Sequence, residues 1–147
     1  MKTLFSTLLL TIMFFHSFHA NGDSASEKWP DACKKVEIVS TIDGMRQPAY
    51  FYKSPSHEKR PLIVSLHTWS GGYAQKDTLS RLCIEKDYNY IHPHFRGPNN
   101  KPEACGSKLV IQDIDDAIGY AIEHAPVDTS KIHITGASGG GYATLLA

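Results

Sequence analysis

Ser138 stands in the pentapeptide Gly136-Ala137-Ser138-Gly139-Gly140, a G-x-S-x-G pattern. A serine hydroxyl is a weak nucleophile until a neighbouring base takes its proton. The spacing suits that use. Glycines two residues to either side let the chain turn sharply, and a turn between a strand and a helix lifts the hydroxyl clear of the sheet. Gly139, next in the chain, then presents its N–H at a helix N-terminus, where an oxyanion would form beside the serine. A plain glycine-rich turn with a surface serine has the same five residues, so the flanking elements decide between the two.

The flanks favour the catalytic turn. Lys131 to Thr135 alternates Ile132 and Ile134 with polar residues and reads as a short strand, and Tyr142 to Ala147 is a helix-forming run. Upstream, Pro61 to Leu66 is a nearly continuous apolar strand, as in the middle of a parallel sheet. It runs into His67-Thr68-Trp69-Ser70-Gly71-Gly72. A backbone N–H at Thr68 or Trp69 is the candidate second oxyanion donor, with the two glycines expected to let backbone approach the substrate oxygen. Asp77 caps a helix expected to reach Lys86, with Leu79, Leu82 and Cys83 inward, and Tyr88 to His92 is the next strand. Ser107 opens an amphipathic helix whose apolar face is Val110, Ile111, Ile114, Ala117, Ile118, Ala121 and Ile122, and Pro126 ends it. Asp113, Asp115 and Asp116 are expected on its solvent face. Val36–Thr41 and Arg46–Lys53, joined at Asp43-Gly44, read as an antiparallel hairpin, preceded by a linker or mobile segment over residues 23–35. Strands alternating with helices predict a parallel sheet with right-handed crossovers.

Composition excludes some partners. Fifteen basic residues balance fifteen acidic ones, and no basic run points to nucleic acid. Residues 1–22 have a positive start at Lys2, an apolar run from Leu4 to Phe15 and small residues at Ala20 and Gly22. They read as a secretory signal peptide, with no stable membrane insertion expected after cleavage. Secretion permits disulfides, and the three cysteines cannot all pair internally. Cys83 and Cys105, flanking one strand-and-loop unit, form the expected pair, contributing roughly 3 kcal/mol on the chain-entropy account. His92 and His94 would share a strand face, yet no cysteine or carboxylate cluster accompanies them. No metal or cofactor is expected. Arg96 invites either a salt bridge supporting the serine turn or a substrate contact.

From about Pro61 to Ala147 the chain resembles the first half of an α/β-hydrolase domain, and within that superfamily the catalytic domain of the prolyl oligopeptidase (S9) family of serine peptidases. Phe95-Arg96-Gly97 is similar to the family's aromatic-Arg-Gly, and Gly136 to Tyr142 to its G-x-S-x-G-G-aromatic elbow. Asp113 to Ala117, Tyr120, Val127-Asp128 and Lys131-Ile132 follow its crossover helix and the lead into the elbow strand. The resemblance implies a three-layer αβα domain with a mostly parallel sheet. It also implies a secreted serine-type peptidase acting on a peptide through an acyl-enzyme on Ser138. Secreted acetylxylan-, feruloyl- and polyhydroxybutyrate-type esterases carry similar pieces, and ester is the alternative substrate. The family's peptidases place a tyrosine in the loop after the central strand; here that loop holds His67, Thr68 and Trp69, which favours an esterase-like hole built from backbone. Only residues 23–60 precede the central strand, leaving no room for the family's propeller. Triad order in this fold is serine, then Asp or Glu, then His, and none of the eight histidines follows Ser138. The sequence is accordingly read as the N-terminal half of a larger catalytic domain, truncated after the elbow and inactive alone. A non-enzymatic fragment of the same fold is the reading from another class, and His67 is the first suspect should an upstream histidine serve as base.

Overall fold

The computed structural model describes residues 28–147, and the expected signal peptide lies outside the described residues. Five strands form one sheet: β1 (Lys34–Val39), β2 (Arg46–Tyr52), β3 (Arg60–Leu66), β4 (Asn89–Pro93) and β5 (Val127–Gly136), in the order β1-β2-β4-β3-β5. Among the described residues three helices accompany it: α1 (Leu79–Lys86), α2 (Lys108–His124) and α3 (Gly139–Leu146). β3 lies parallel to both β4 and β5. The hairpin β1–β2 is antiparallel and joins the rest through an antiparallel β2–β4 pairing. The sheet is therefore mixed, with a parallel part built by helical crossovers and an antiparallel hairpin on one side.

Period-two alternation divides the apolar residues between the two faces. Leu62, Val64 and Leu66 of β3, with Ile91 of β4, pack with Val110, Ile114, Ala117 and Ala121 of α2. Fully burying one of the Val, Leu or Ile side chains contributes roughly 1.5–3 kcal/mol. The opposite face carries Tyr52 and Tyr90, packed with Cys83 of α1, Cys33 and Trp29. Trp29 stacks on Tyr50 at 4.3 Å, so the described part of the expected linker is packed into this core. On α1, Ser80 and Cys83 are buried while Leu82 is exposed, which moves the inner face by a fraction of a turn.

The expected Cys83–Cys105 disulfide does not form. All three cysteines are free; Cys83 is buried beneath α1 in the same cluster as Cys33, whereas Cys105 is exposed beyond the 3-10 turn Pro102–Ala104, which packs on α2. Burial holds the Cys33 thiol up at about 11 and that of Cys83 at about 12, so both stay protonated.

The three aspartates of α2 do not share a solvent face. Asp113 is buried, and its Oδ2 lies 2.7 Å from Arg96 Nε, with Oδ1 accepting from Arg96 Nη2 at 3.1 Å. Arg96 also pairs with Asp43 at 2.7 Å and donates to Ser40 Oγ. Asp116 accepts from the Thr41 N–H and hydroxyl, both at 2.8 Å. Only Asp115 faces water. These carboxylates fasten α2 to the hairpin turn, and Arg96 is the buried cation between them. Periodicity alone hid this, because a buried charge with a partner on another element looks in sequence like a solvated one.

Candidate active site

Register places the site. Leu66 pairs with Gly136, so the segments leaving β3 and β5 start side by side at the carboxyl ends of parallel strands, where α/β sites form. From β3 comes His67–Gly72; from β5 comes Ala137, Ser138 and α3.

Ser138 has φ 54° and ψ −117° and stands exposed at the head of α3. Positive φ in a residue with a Cβ is strained, and it survives only where neighbours hold it. Close approach does so here. A Cβ on Gly136 would stand 2.4 Å from Gly140 C, and one on Gly140 only 2.2 Å from Leu66 O. Both glycines are required because backbone, not a movable side chain, occupies the space. The Gly140 N–H donates to Ala137 O and the Tyr142 N–H to Ser138 O, closing the turn into the helix.

Gly139 meets the β3 loop directly: a Cβ there would lie 2.6 Å from both N and Cα of Trp69. As the first residue of α3 its N–H has no acceptor within the helix. The opposing Trp69 N–H likewise has no acceptor among the described residues. Its direction is fixed by the peptide it belongs to. Thr68 O accepts the Gly71 N–H at 2.9 Å and has His67 Nδ1 2.9 Å away, so the trans-peptide N–H of Trp69 points the other way. Trp69 O accepts from Asn99 N at 2.8 Å. Two backbone donors, one from each expected segment, thus stand beside a strained, exposed serine.

The other candidate donor is spent. Thr68 N–H donates to Gln75 Oε1 at 3.0 Å. The loop glycines lie against side chains from adjoining parts of the chain. A Cβ on Gly71 would collide with the Gln75 side chain at 1.9 Å, and one on Gly72 would crowd His94 at 3.1 Å. Both make room for side chains of this protein.

His67, the suspected upstream base, is fully buried and stacked on Phe95 at 3.9 Å. Its Nδ1 and Nε2 face Thr68 O and His94 O at 2.9 and 2.8 Å, and burial lowers its pKa. It builds the loop and offers Ser138 nothing. No histidine among the described residues is hydrogen-bonded to Ser138. His92 is buried with both ring nitrogens unpartnered among the described residues, and His94 Nδ1 accepts from Tyr73 N at 3.3 Å. Among the described residues no group of three or more His, Cys, Asp or Glu side chains is placed to hold a metal ion. Arg96 contacts neither Ser138 nor its loop in the hydrogen bonds and ion pairs described above.

No family model matches the chain, and no curated protein matches its sequence. Solved structures do. The uncomplexed acylaminoacyl peptidase of Pyrococcus horikoshii superposes with a TM-score of 0.65 at 28% identity, over 78% of this chain and 20% of that one. A puromycin-hydrolyzing peptidase of Mycobacterium tuberculosis matches with a TM-score of 0.63 at 20% identity, over 79% of this chain and 20% of that one. A thermostable esterase matches with a TM-score of 0.62 at 19% identity, over 79% of this chain and 37% of that one. The chain has an α/β-hydrolase fold and resembles the S9-type peptidases. It spans about a fifth of the length of the peptidases it matches.

Proposed function

We propose that Ser138 is the nucleophile of a secreted serine hydrolase of the prolyl oligopeptidase type, acting on peptides through an acyl-enzyme. The observation that carries the reading is the strained, exposed Ser138 with the unpaired Trp69 N–H against Gly139. In the proposed reaction Ser138 Oγ attacks the substrate carbonyl carbon as a base takes its proton. The carbonyl oxygen becomes an oxyanion held by the Gly139 and Trp69 N–H groups. The leaving amine departs with that proton, and water then releases the acyl group. The reading applies to the protein in which Ser138 meets a histidine base. Secretion rests on the leader-like residues 1–22.

One observation favours an ester as substrate. The loop offers the Trp69 backbone N–H, and residues 67 to 72 hold no tyrosine hydroxyl. An esterase hole of this kind stabilises the same oxyanion, and an alcohol is an easier leaving group than an amine.

The experiment is activity-based labelling of the full-length protein with a fluorophosphonate. Labelling lost in Ser138→Ala is expected; equal labelling of both proteins removes the nucleophile from Ser138. Turnover of aminoacyl-proline amides against acetylated or feruloylated sugars then separates the substrate classes. Ester turnover without amide turnover replaces peptidase by esterase. Secretion is checked by N-terminal sequencing of the exported protein, expected to begin at Asp23.

A further inference from the structure

We infer that Gln75 is a positioning residue for the oxyanion-binding loop: its side-chain oxygen occupies the Thr68 N–H and hydroxyl, leaving the Trp69 N–H as the loop's donor to the substrate oxygen. The inference rests on the serine-hydrolase reading above and adds the group that selects which donor the loop presents.

Gln75 Oε1 accepts from Thr68 N at 3.0 Å and from Thr68 Oγ1 at 2.7 Å. An amide oxygen has two lone pairs, so both are used. The Gln75 N–H donates to Gly72 O at 2.8 Å, and the Gly71 N–H to Thr68 O at 2.9 Å. Residues 68–75 therefore close on themselves, with the amide in the middle. Gly71 is the residue that admits it, since a Cβ there would stand 1.9 Å from Oε1. Thr68 and Trp69 have neighbouring N–H groups, and only one can face Ser138 once the peptide between them is fixed. Thr68 is held at its N–H and hydroxyl by Gln75 and at its carbonyl by Gly71 and His67. Without the Gln75 oxygen, the Thr68 N–H and hydroxyl lose their acceptor, and the Trp69 N–H is held in line only through the contacts of Thr68 O with Gly71 and His67. Such a change weakens an interaction made with the oxyanion and leaves ground-state substrate contacts in place. It therefore acts on kcat rather than KM.

The test uses the full-length protein with p-nitrophenyl acetate as substrate and phenylboronic acid as a tetrahedral mimic. Gln75→Met keeps the length of the side chain and removes the acceptor. The expected result is a fall in kcat of about tenfold, below the 10²–10³ for deleting a donor outright. KM should stay within about twofold, and boronate affinity should fall in step with kcat. Thr68→Val removes the hydroxyl donor and is expected to lower kcat less. In the Gln75→Met background it should cost nothing further, because the bond is already gone. Unchanged kcat and boronate affinity in Gln75→Met overturns the inference, as does a loss shared equally by kcat and KM, or multiplicative effects in the double variant. If Gln75→Met fails to melt cooperatively, Thr68→Val alone decides: lowered boronate affinity supports the inference and wild-type affinity overturns it. Ser138→Ala runs alongside. Wild-type turnover there overturns the hydrolase reading and this inference together, whereas an inactive Ser138→Ala with an unaffected Gln75→Met overturns this inference alone.

Discussion

Acidification should destabilise this fold through His92, and the size of the effect follows from where that ring sits. His92 is 1% exposed on the α1 face of β4, 5.4 Å from the Trp29 ring and 6.3 Å from that of His67. Neither ring nitrogen has a partner among the described residues. Burial disfavours the imidazolium, opposed in part by Asp77, and brings the pKa from 6.5 to about 4. In the unfolded chain the same ring titrates near 6.5. Between those values the unfolded chain binds a proton that the folded protein refuses, so stability is full above pH 6.5 and falls as the pH drops toward 4. At about 1.4 kcal/mol per pH unit the loss reaches about 3 kcal/mol. That is a large share of a typical net stability of ~5–15 kcal/mol. His67 and His94 are displaced in the same direction by burial and add to the slope.

The perturbation that isolates His92 is His92→Phe, which keeps an aromatic ring against Trp29 and has no proton to bind. Urea midpoints of the full-length protein measured at pH 7.5, 6.5, 5.5 and 4.5 should fall with pH in the wild type. With a urea slope of about 1–3 kcal/mol per molar, the His92 share amounts to roughly 1–3 M across the window. In His92→Phe that share disappears, whatever the variant's absolute stability at pH 7.5. Parallel curves for the two proteins would refute the reasoning. So would an NMR titration in which the His92 ring protonates near 6.5 in the folded state.

Gly140→Ala should lower the melting temperature, since its Cβ would meet Leu66 O at 2.2 Å; overpacking costs about 1–3 kcal/mol, or roughly 4–12 °C. Gly119→Ala, on the exposed side of α2 with nothing within 4 Å, should instead raise stability by up to about 1 kcal/mol, and thermal melts of the two variants should move in opposite directions. Asp113→Ala leaves Arg96 facing a hole in a buried network and should cost about 3–5 kcal/mol by urea denaturation, a loss that replacing exposed Asp115 does not share. Residues 23–147 expressed alone should show no Ser138-dependent hydrolysis of p-nitrophenyl acetate, because no histidine among the described residues hydrogen-bonds Ser138 and His67 is committed to carbonyls; the same preparation should aggregate or melt without cooperativity, with Leu145 and Leu146 exposed.

Local signals were legible in the sequence to the extent that one residue's environment depends on its near neighbours. Ser107 is legible as the start of α2, and its hydroxyl caps the helix by accepting from Leu109 and Val110, two and three residues on. Pro126 and the period of α2 fixed that helix for the same reason. The alternating pattern marks β5 only from Lys131, next to Ile132 where the regular pairing with β3 starts, whereas the strand begins at Val127. Val127 already pairs with Arg60, and an irregularity separates that pair from Ile132 opposite Leu62. The glycines of the serine turn were legible as a pattern, although what they avoid, Leu66 O and Gly140 C, lies across the sheet or past the turn.

What escaped the sequence was partnership at a distance. Asp113 and Asp115 are two residues apart on one helix and look alike in composition. One is buried against Arg96, which reaches it from the end of β4, and the other faces water. The same holds at the site. Thr68 and Trp69 were equivalent as backbone donors until Gln75, seven residues beyond Thr68, was seen to take one of them. Gly71 and Gly72 suggested room for a substrate because glycine in a loop always does. The room is filled by Gln75 and His94. A strand-turn-helix motif therefore specifies where a nucleophile stands, while the donors that would complete its chemistry are chosen by side chains from the adjoining loop. Those choices leave no periodicity behind, and the motif alone leaves Thr68 and Trp69 undistinguished.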